Sequence, residues 1–190
     1  MKLLAASLLL FLTCSFFVQQ EHEQILWSKK KLKWKNFKGT VDSTGPHAKA
    51  AAVTSSRLEQ RYYMADSNEI HFIIAAWFNP ARSWVKKATL ESRNSNRVLD
   101  HEQHHFDMCE LYARKIRQYL SNTTFTAATY KMQIKDLFRK FHEDYRAEQG
   151  KYDNELANRK YTLEDWTSSI DDEMKALSKY ADTLLVVKLQ

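Results

Sequence analysis

The stretch LDHEQHHFDMCELYARK, residues 99–115, sets His101, Glu102, His104 and His105 within five positions of a chain that has only seven histidines. Histidines four apart on a helix stand one turn from each other on the same face, so His101 and His105 can aim two imidazole nitrogens at one ion. Glu102, beside the first histidine, can approach a water on that ion without being a ligand itself. This is the H-E-x-x-H arrangement. Zinc held there polarises both a water and a substrate carbonyl, while the carboxylate takes a proton from the water and returns it to the leaving amine. The chemistry is hydrolysis of an amide bond in a peptide or protein substrate, with Zn as cofactor and Glu102 as general base. The bland alternative, a pair of surface or hydrogen-bonded core histidines, stays open on spacing alone.

The helix that must carry these residues is legible in the apolar pattern. Leu99, Glu102, Phe106, Cys109, Ala113, Ile116 and Leu120 recur at spacings of three and four and form one stripe that should face a core. Glu102 lies within that stripe, flanked on one side by His105 and His101 at about 100° of rotation per residue. A carboxylate in an apolar seam costs several kcal/mol if nothing compensates it, and a neighbouring cation is such compensation. His104 and Asp107 point nearly the opposite way, so His104 is expected to face solvent. Cys109 reads as a small buried thiol and not a ligand, and Glu110 falls on the flank away from the histidines.

Strands precede the helices. Residues 50–61 and 69–78 are rich in β-branched, aromatic and aliphatic residues around a turn-forming Asp66-Ser67-Asn68, which predicts an antiparallel hairpin closed by Asn79-Pro80. Helical patterns follow over 97–120, 127–149 and 163–184. The last opens with Thr162 and Asp165 at capping-box spacing and carries Trp166, Ile170, Met174, Leu177, Ala181 and Leu184 down one face. The middle one places Tyr130, Ile134, Leu137, Phe141 and Tyr145 likewise. Segregated strands and helices predict an α+β domain: N-terminal antiparallel strands, then about three helices, with the motif helix packed on the sheet.

With 190 residues and 44% hydrophobic composition, the chain is long enough for one domain with a core and too short for two ordinary ones. Three glycines and two prolines leave little room for linkers or low-complexity tracts. Met1-Lys2, the apolar run from Leu3 to Leu12 and the patch Phe16-Phe17-Val18 before a polar stretch read as a signal peptide over 1–20, leaving one domain over 21–190. The protein is therefore expected to be exported, periplasmic or secreted. An uncleaved leader or a lipidated Cys14 would instead tie it to a membrane. Without the leader Cys109 is the only cysteine, so packing or a metal must supply the stability a disulfide would give. Lys29, Lys30, Lys31, Lys33 and Lys35 concentrate the charge excess, and read as a lysine-protected edge strand in preference to a nucleic-acid surface. No nucleic-acid partner is expected.

Trp34-Lys35-Asn36-Phe37-Lys38-Gly39, Ser83-Trp84-Val85, LDHEQHHFDMCELYAR, and Tyr152-Asp153 with Trp166 downstream together resemble the bacterial family called domain of unknown function 922. The likeness runs over about residues 27–170. It implies a secreted, zinc-dependent, metallopeptidase-like protein with a zincin-like fold. In that family the Tyr-Asp pair is followed by a threonine, a histidine and a glycine, where this chain has Leu156, Asn158 and Arg159. A catalytic zinc site uses three protein ligands and one open position. Asp153, the part of that downstream motif still present, ranks first as third ligand, with Glu155 next and His142 and Glu143 as outside candidates. The departure also keeps two other readings in play: a non-catalytic, degenerate module that binds or scaffolds at the cell envelope, and a metal-holding protein without peptidase chemistry.

Overall fold

A computed structural model of the chain describes residues 23–190, so the leader segment and Cys14 lie outside the described residues. Within them the protein is α+β, with N-terminal antiparallel strands, four helices after them and one more strand at the C-terminal end. The order is β1 (Ile25–Leu26), β2 (Ala52–Val53), β3 (Ser56–Met64), β4 (Glu69–Phe78), β5 (Trp84–Val85), α1 (Lys87–Leu90), α2 (Ser95–Ser121), α3 (Tyr130–Ala157), α4 (Leu163–Ala176) and β6 (Leu184–Lys188).

The ten-residue β4 is the sheet's spine. Its partner on one edge is β3, in register from Ser56↔Phe78 to Met64↔Ile70, through a turn in which the Asp66 carboxylate accepts from the Asn68 and Glu69 amides. The other edge is shared: β1 covers the Phe78 end and β6 the Glu69 end. Alternation then puts Ile70, Phe72, Ile74, Ala76 and Phe78 on one face, each fully buried. Against them lie Ala113, Ile116 and Leu120 of α2 at one end, and Phe106 and Cys109 at the other. Burying each such large apolar side chain stabilises the fold by about 1.5–3 kcal/mol.

Four expectations need correction. Residues 50–55 are not part of the hairpin: β3 starts at Ser56, and Ala52–Val53 forms a separate two-stranded ladder with β5. The final helix stops at Ala176, and Leu184, assigned to its apolar face, instead opens β6. That short apolar run suits a strand or a buried helix equally, and the open edge of β4 decided it. The middle helix extends on to Ala157, which brings Tyr152 and Asp153 onto it. The lysine-rich run is no edge strand but a strap across α2: Leu32 N–H donates to Gln103 Oε1 at 2.7 Å, and Trp27 Nε1 and Lys31 Nζ reach the Asp107 carboxylate at 2.7 and 3.2 Å.

That strap explains why α2 is buried on nearly every side. The sheet covers one face, the strap another, and Tyr152 of α3 with Trp166, Ile170 and Met174 of α4 close over Met108 and Leu111. Local chemistry sets the helix ends. At the C-terminus of α2 the side chains of Ser121, Asn122 and Thr123 donate back to the carbonyls of Arg117, Gln118 and Tyr119. Thr162 and Asp165 form the reciprocal capping box expected at the start of α4. Helix α3 ends in a Schellman turn, with Lys160 N–H on Glu155 C=O and Arg159 N–H on Leu156 C=O. Arg159 holds the left-handed position of that turn at φ 54°, the place where glycine is usual.

Candidate metal centre

Helices α2 and α3 meet at three side chains. His101 and His105, one turn apart on α2, bring their Nε2 atoms to 3.2 Å, and Asp153 of α3 sets Oδ1 at 3.3 Å from the first and 3.1 Å from the second. They are the one group of three or more His, Cys, Asp or Glu side chains among the described residues whose donor atoms converge on a common point. Three donors about 3.2 Å apart make one face of a tetrahedron whose centre lies about 2.0 Å from each, the bond length of zinc to histidine nitrogen or carboxylate oxygen.

The protons decide whether these residues suit a cation. Gln149, one turn before Asp153 on α3, donates its Nε2 to the His105 carbonyl at 3.0 Å, which turns its Oε1 onto His105 Nδ1. Nδ1 must then carry hydrogen, and Nε2 of the neutral ring presents a lone pair to Asp153 and His101. Acceptors that face one another at this distance need a positive charge between them, a proton or a metal ion. The titration tendencies agree. Burial pulls the His105 pKa down, but the hydrogen bond and charge of Asp153, with Glu102 behind, raise it overall. Burial raises the Asp153 carboxyl, yet the hydrogen bonds and charges of His101 and His105 hold it far below the usual carboxylate range.

Glu102 stands beside this group, 4% exposed, and its Oε2 is buried without a hydrogen-bond partner. Its own carbonyl accepts from Thr54 Oγ1 at 3.1 Å, which fixes the 50–54 segment alongside the motif. Residues of that segment, with His47, line the cleft over His101, Glu102, His105 and Asp153. Two further cavities adjoin it: one, past Val98 and Leu163, shares His101 and Glu102 with it, and the other, past Arg82, Trp84 and Tyr145, shares His47 and Gln149.

His104 is not on the surface. It is 4% exposed, with Nδ1 at 3.1 Å from the Tyr152 hydroxyl and Nε2 at 3.0 Å from Thr167 Oγ1, so one imidazole ties α2 to α3 and α4. Burial lowers its pKa. The Tyr152 hydroxyl also donates to the His101 carbonyl at 3.3 Å, and its ring stacks on the His101 imidazole at 4.8 Å. The expectation of a solvent-facing His104 rested on a single apolar stripe, and a helix enclosed on several sides has none.

The remaining donors lie apart from the three. Glu155 is paired with Lys160 at 3.0 Å, and His142 and Glu143 are exposed on α3. Asn158 is the C-cap of α3. Cys109 is fully buried, and burial pushes its thiol up to about 12, so it is an inert core group. Glu110 pairs away from the site with Arg114 and Arg117. Gln149 is the residue sequence reasoning missed. Its one-turn spacing from Asp153 was the available signal, because the two share a helix face.

Residues 79–160, which include His101, Glu102, His105, Gln149 and Asp153, match the model of a family described as bacterial protein of unknown function, DUF922. No curated protein and no solved structure matches the chain.

Proposed function

For a chain that this segment assigns to a bacterial family of unknown function, we propose a zinc-dependent, metallopeptidase-like hydrolase of zincin-like architecture, acting as an exported protein on a peptide or protein substrate. The observation that carries the reading is the triangle of His101, His105 and Asp153 donor atoms with the unpartnered Glu102 carboxylate beside it. His101, His105 and Asp153 would hold the ion. When bound, zinc supplies Lewis acidity toward a carbonyl and lowers the pKa of a water to about 7. Glu102 accepts the proton of the attacking water and hands it to the departing amine nitrogen, as a buried carboxylate freed of other partners is suited to do. Gln149 holds His105 in the tautomer that points a lone pair at the centre, and Tyr152 fixes the plane of His101. Cavities adjoining the centre on two sides suit an extended chain in preference to a compact small molecule.

The test is Glu102→Gln. The variant is expected to retain the fold and stoichiometric zinc, because Gln is nearly isosteric and Glu102 is not a ligand, while hydrolysis falls about 10²–10⁴-fold. Wild type and variant are incubated with a mixed peptide library and zinc, and new termini are read by mass spectrometry. Equal cleavage by both proteins, or none by wild type carrying one zinc per chain, rejects the enzyme. Zinc without cleavage would favour the second reading, a non-catalytic binding or scaffold module, to which the Asn158 departure from the family pattern also points.

A further inference from the structure

The adjoining cavity of about 690 Å³ reached from His101 and Glu102 carries two guanidinium groups, Arg97 and Arg159, on walls of alanine, Val98 and Leu163. Glu102 is the sole acid among its lining residues. Arg97 is shared with Glu164 at 3.3 Å on the exposed rim. Arg159 forms no ion pair and no side-chain hydrogen bond among the described residues. It also occupies the left-handed turn position at φ 54°, the one positive-φ residue among those described. Arg159 is exposed at the cavity wall, and a cation with no partner there, held where glycine would sit without strain, points from backbone geometry to use.

We infer that Arg159, assisted by Arg97, binds a carboxylate of the substrate, so that peptides bearing a C-terminal carboxylate or an acidic side chain beside the scissile bond are preferred. The planar guanidinium matches a carboxylate through paired N–H donors, and the competing anions are Glu102 in the lining and Glu164 on the rim, which already holds Arg97 and leaves Arg159 as the free donor. This selectivity rests on reading the cleft as a peptide site, and the experiment separates the two claims by measuring binding to the metal-free protein.

Three N-acetylated hexapeptides of the same neutral sequence are titrated into the full chain by calorimetry: one with a free C-terminal carboxylate, one amidated, and one amidated with a single internal glutamate. A carboxylate-bearing peptide is expected to bind about tenfold tighter than the neutral amide. If the free C-terminus gives the gain, the site reads chain ends; if the internal glutamate does, it reads side chains. Arg159→Gly should erase the difference without lowering the melting temperature, since glycine relaxes the left-handed backbone. Arg97→Gln should reduce it partly. Equal affinity for the three peptides, binding of none, or a preference that survives Arg159→Gly overturns the inference. Failure of the peptidase reading would appear separately, as absent cleavage in the Glu102→Gln comparison.

Discussion

The two halves of α2 both bury charge, and they do it differently. In the C-terminal half Glu110, Arg114 and Arg117 are each at most 6% exposed. Glu110 Oε1 accepts from Arg114 Nε at 2.9 Å and Arg117 Nη2 at 2.6 Å, while the two guanidinium groups donate onward to the Met174 and Ile74 carbonyls. Each guanidinium has the Glu110 carboxylate and a backbone carbonyl at hand, with Arg117 Nε left over, and the network joins helix, sheet and α4. In the N-terminal half the donors of His101, His105 and Asp153 face one another, and Glu102 Oε2 has no hydrogen-bond partner. Buried charge paired with opposite charge inside the fold is architecture; acceptor atoms that converge on one point are a site.

Removing Glu110 should give the largest effect. Glu110→Ala strands two arginines in the interior and is expected to lower stability by about 3–5 kcal/mol in urea unfolding, whereas Glu102→Gln in the metal-free protein should be neutral or slightly stabilising because an amide is cheaper to bury than a carboxylate. If Glu102→Gln proves the more damaging, the contrast between the halves is wrong. Next, His105→Ala should weaken zinc binding by more than about 100-fold in chelator competition, exceeding the 10–100-fold typical of losing an outer-shell partner, with little change in metal-free stability. A smaller effect comes from His104→Ala, which removes the link between the Tyr152 and Thr167 hydroxyls, leaves them only the His101 and Leu163 carbonyls, and should cost about 1–3 kcal/mol in thermal unfolding. Zinc loss equal to that of His105→Ala would show that His104 belongs to the centre and not to the frame behind it.

Much of this frame was legible in the chain alone. The stripe from Leu99 to Leu120, the one-turn spacing of His101 and His105, the hairpin around Asp66-Ser67-Asn68, the Thr162–Asp165 cap and the buried Cys109 all follow from periodicity or from bonds between residues a few positions apart. Such signals are local, so the sequence determines them directly. Periodicity assumes one apolar face, and it misplaced His104 because α2 is enclosed by the sheet, the 27–32 strap, α3 and α4 together. It also carried Leu184 into a helix, since a short apolar run becomes a strand only where a sheet edge is waiting for it. That Asp153 faces the two histidines, that Gln149 sets the proton on His105, and that Arg159 ends at the cleft were decided by the crossing of α3 over α2. These contacts join residues more than forty positions apart; no spacing rule encodes them, because the packing of whole elements fixes which distant side chains meet.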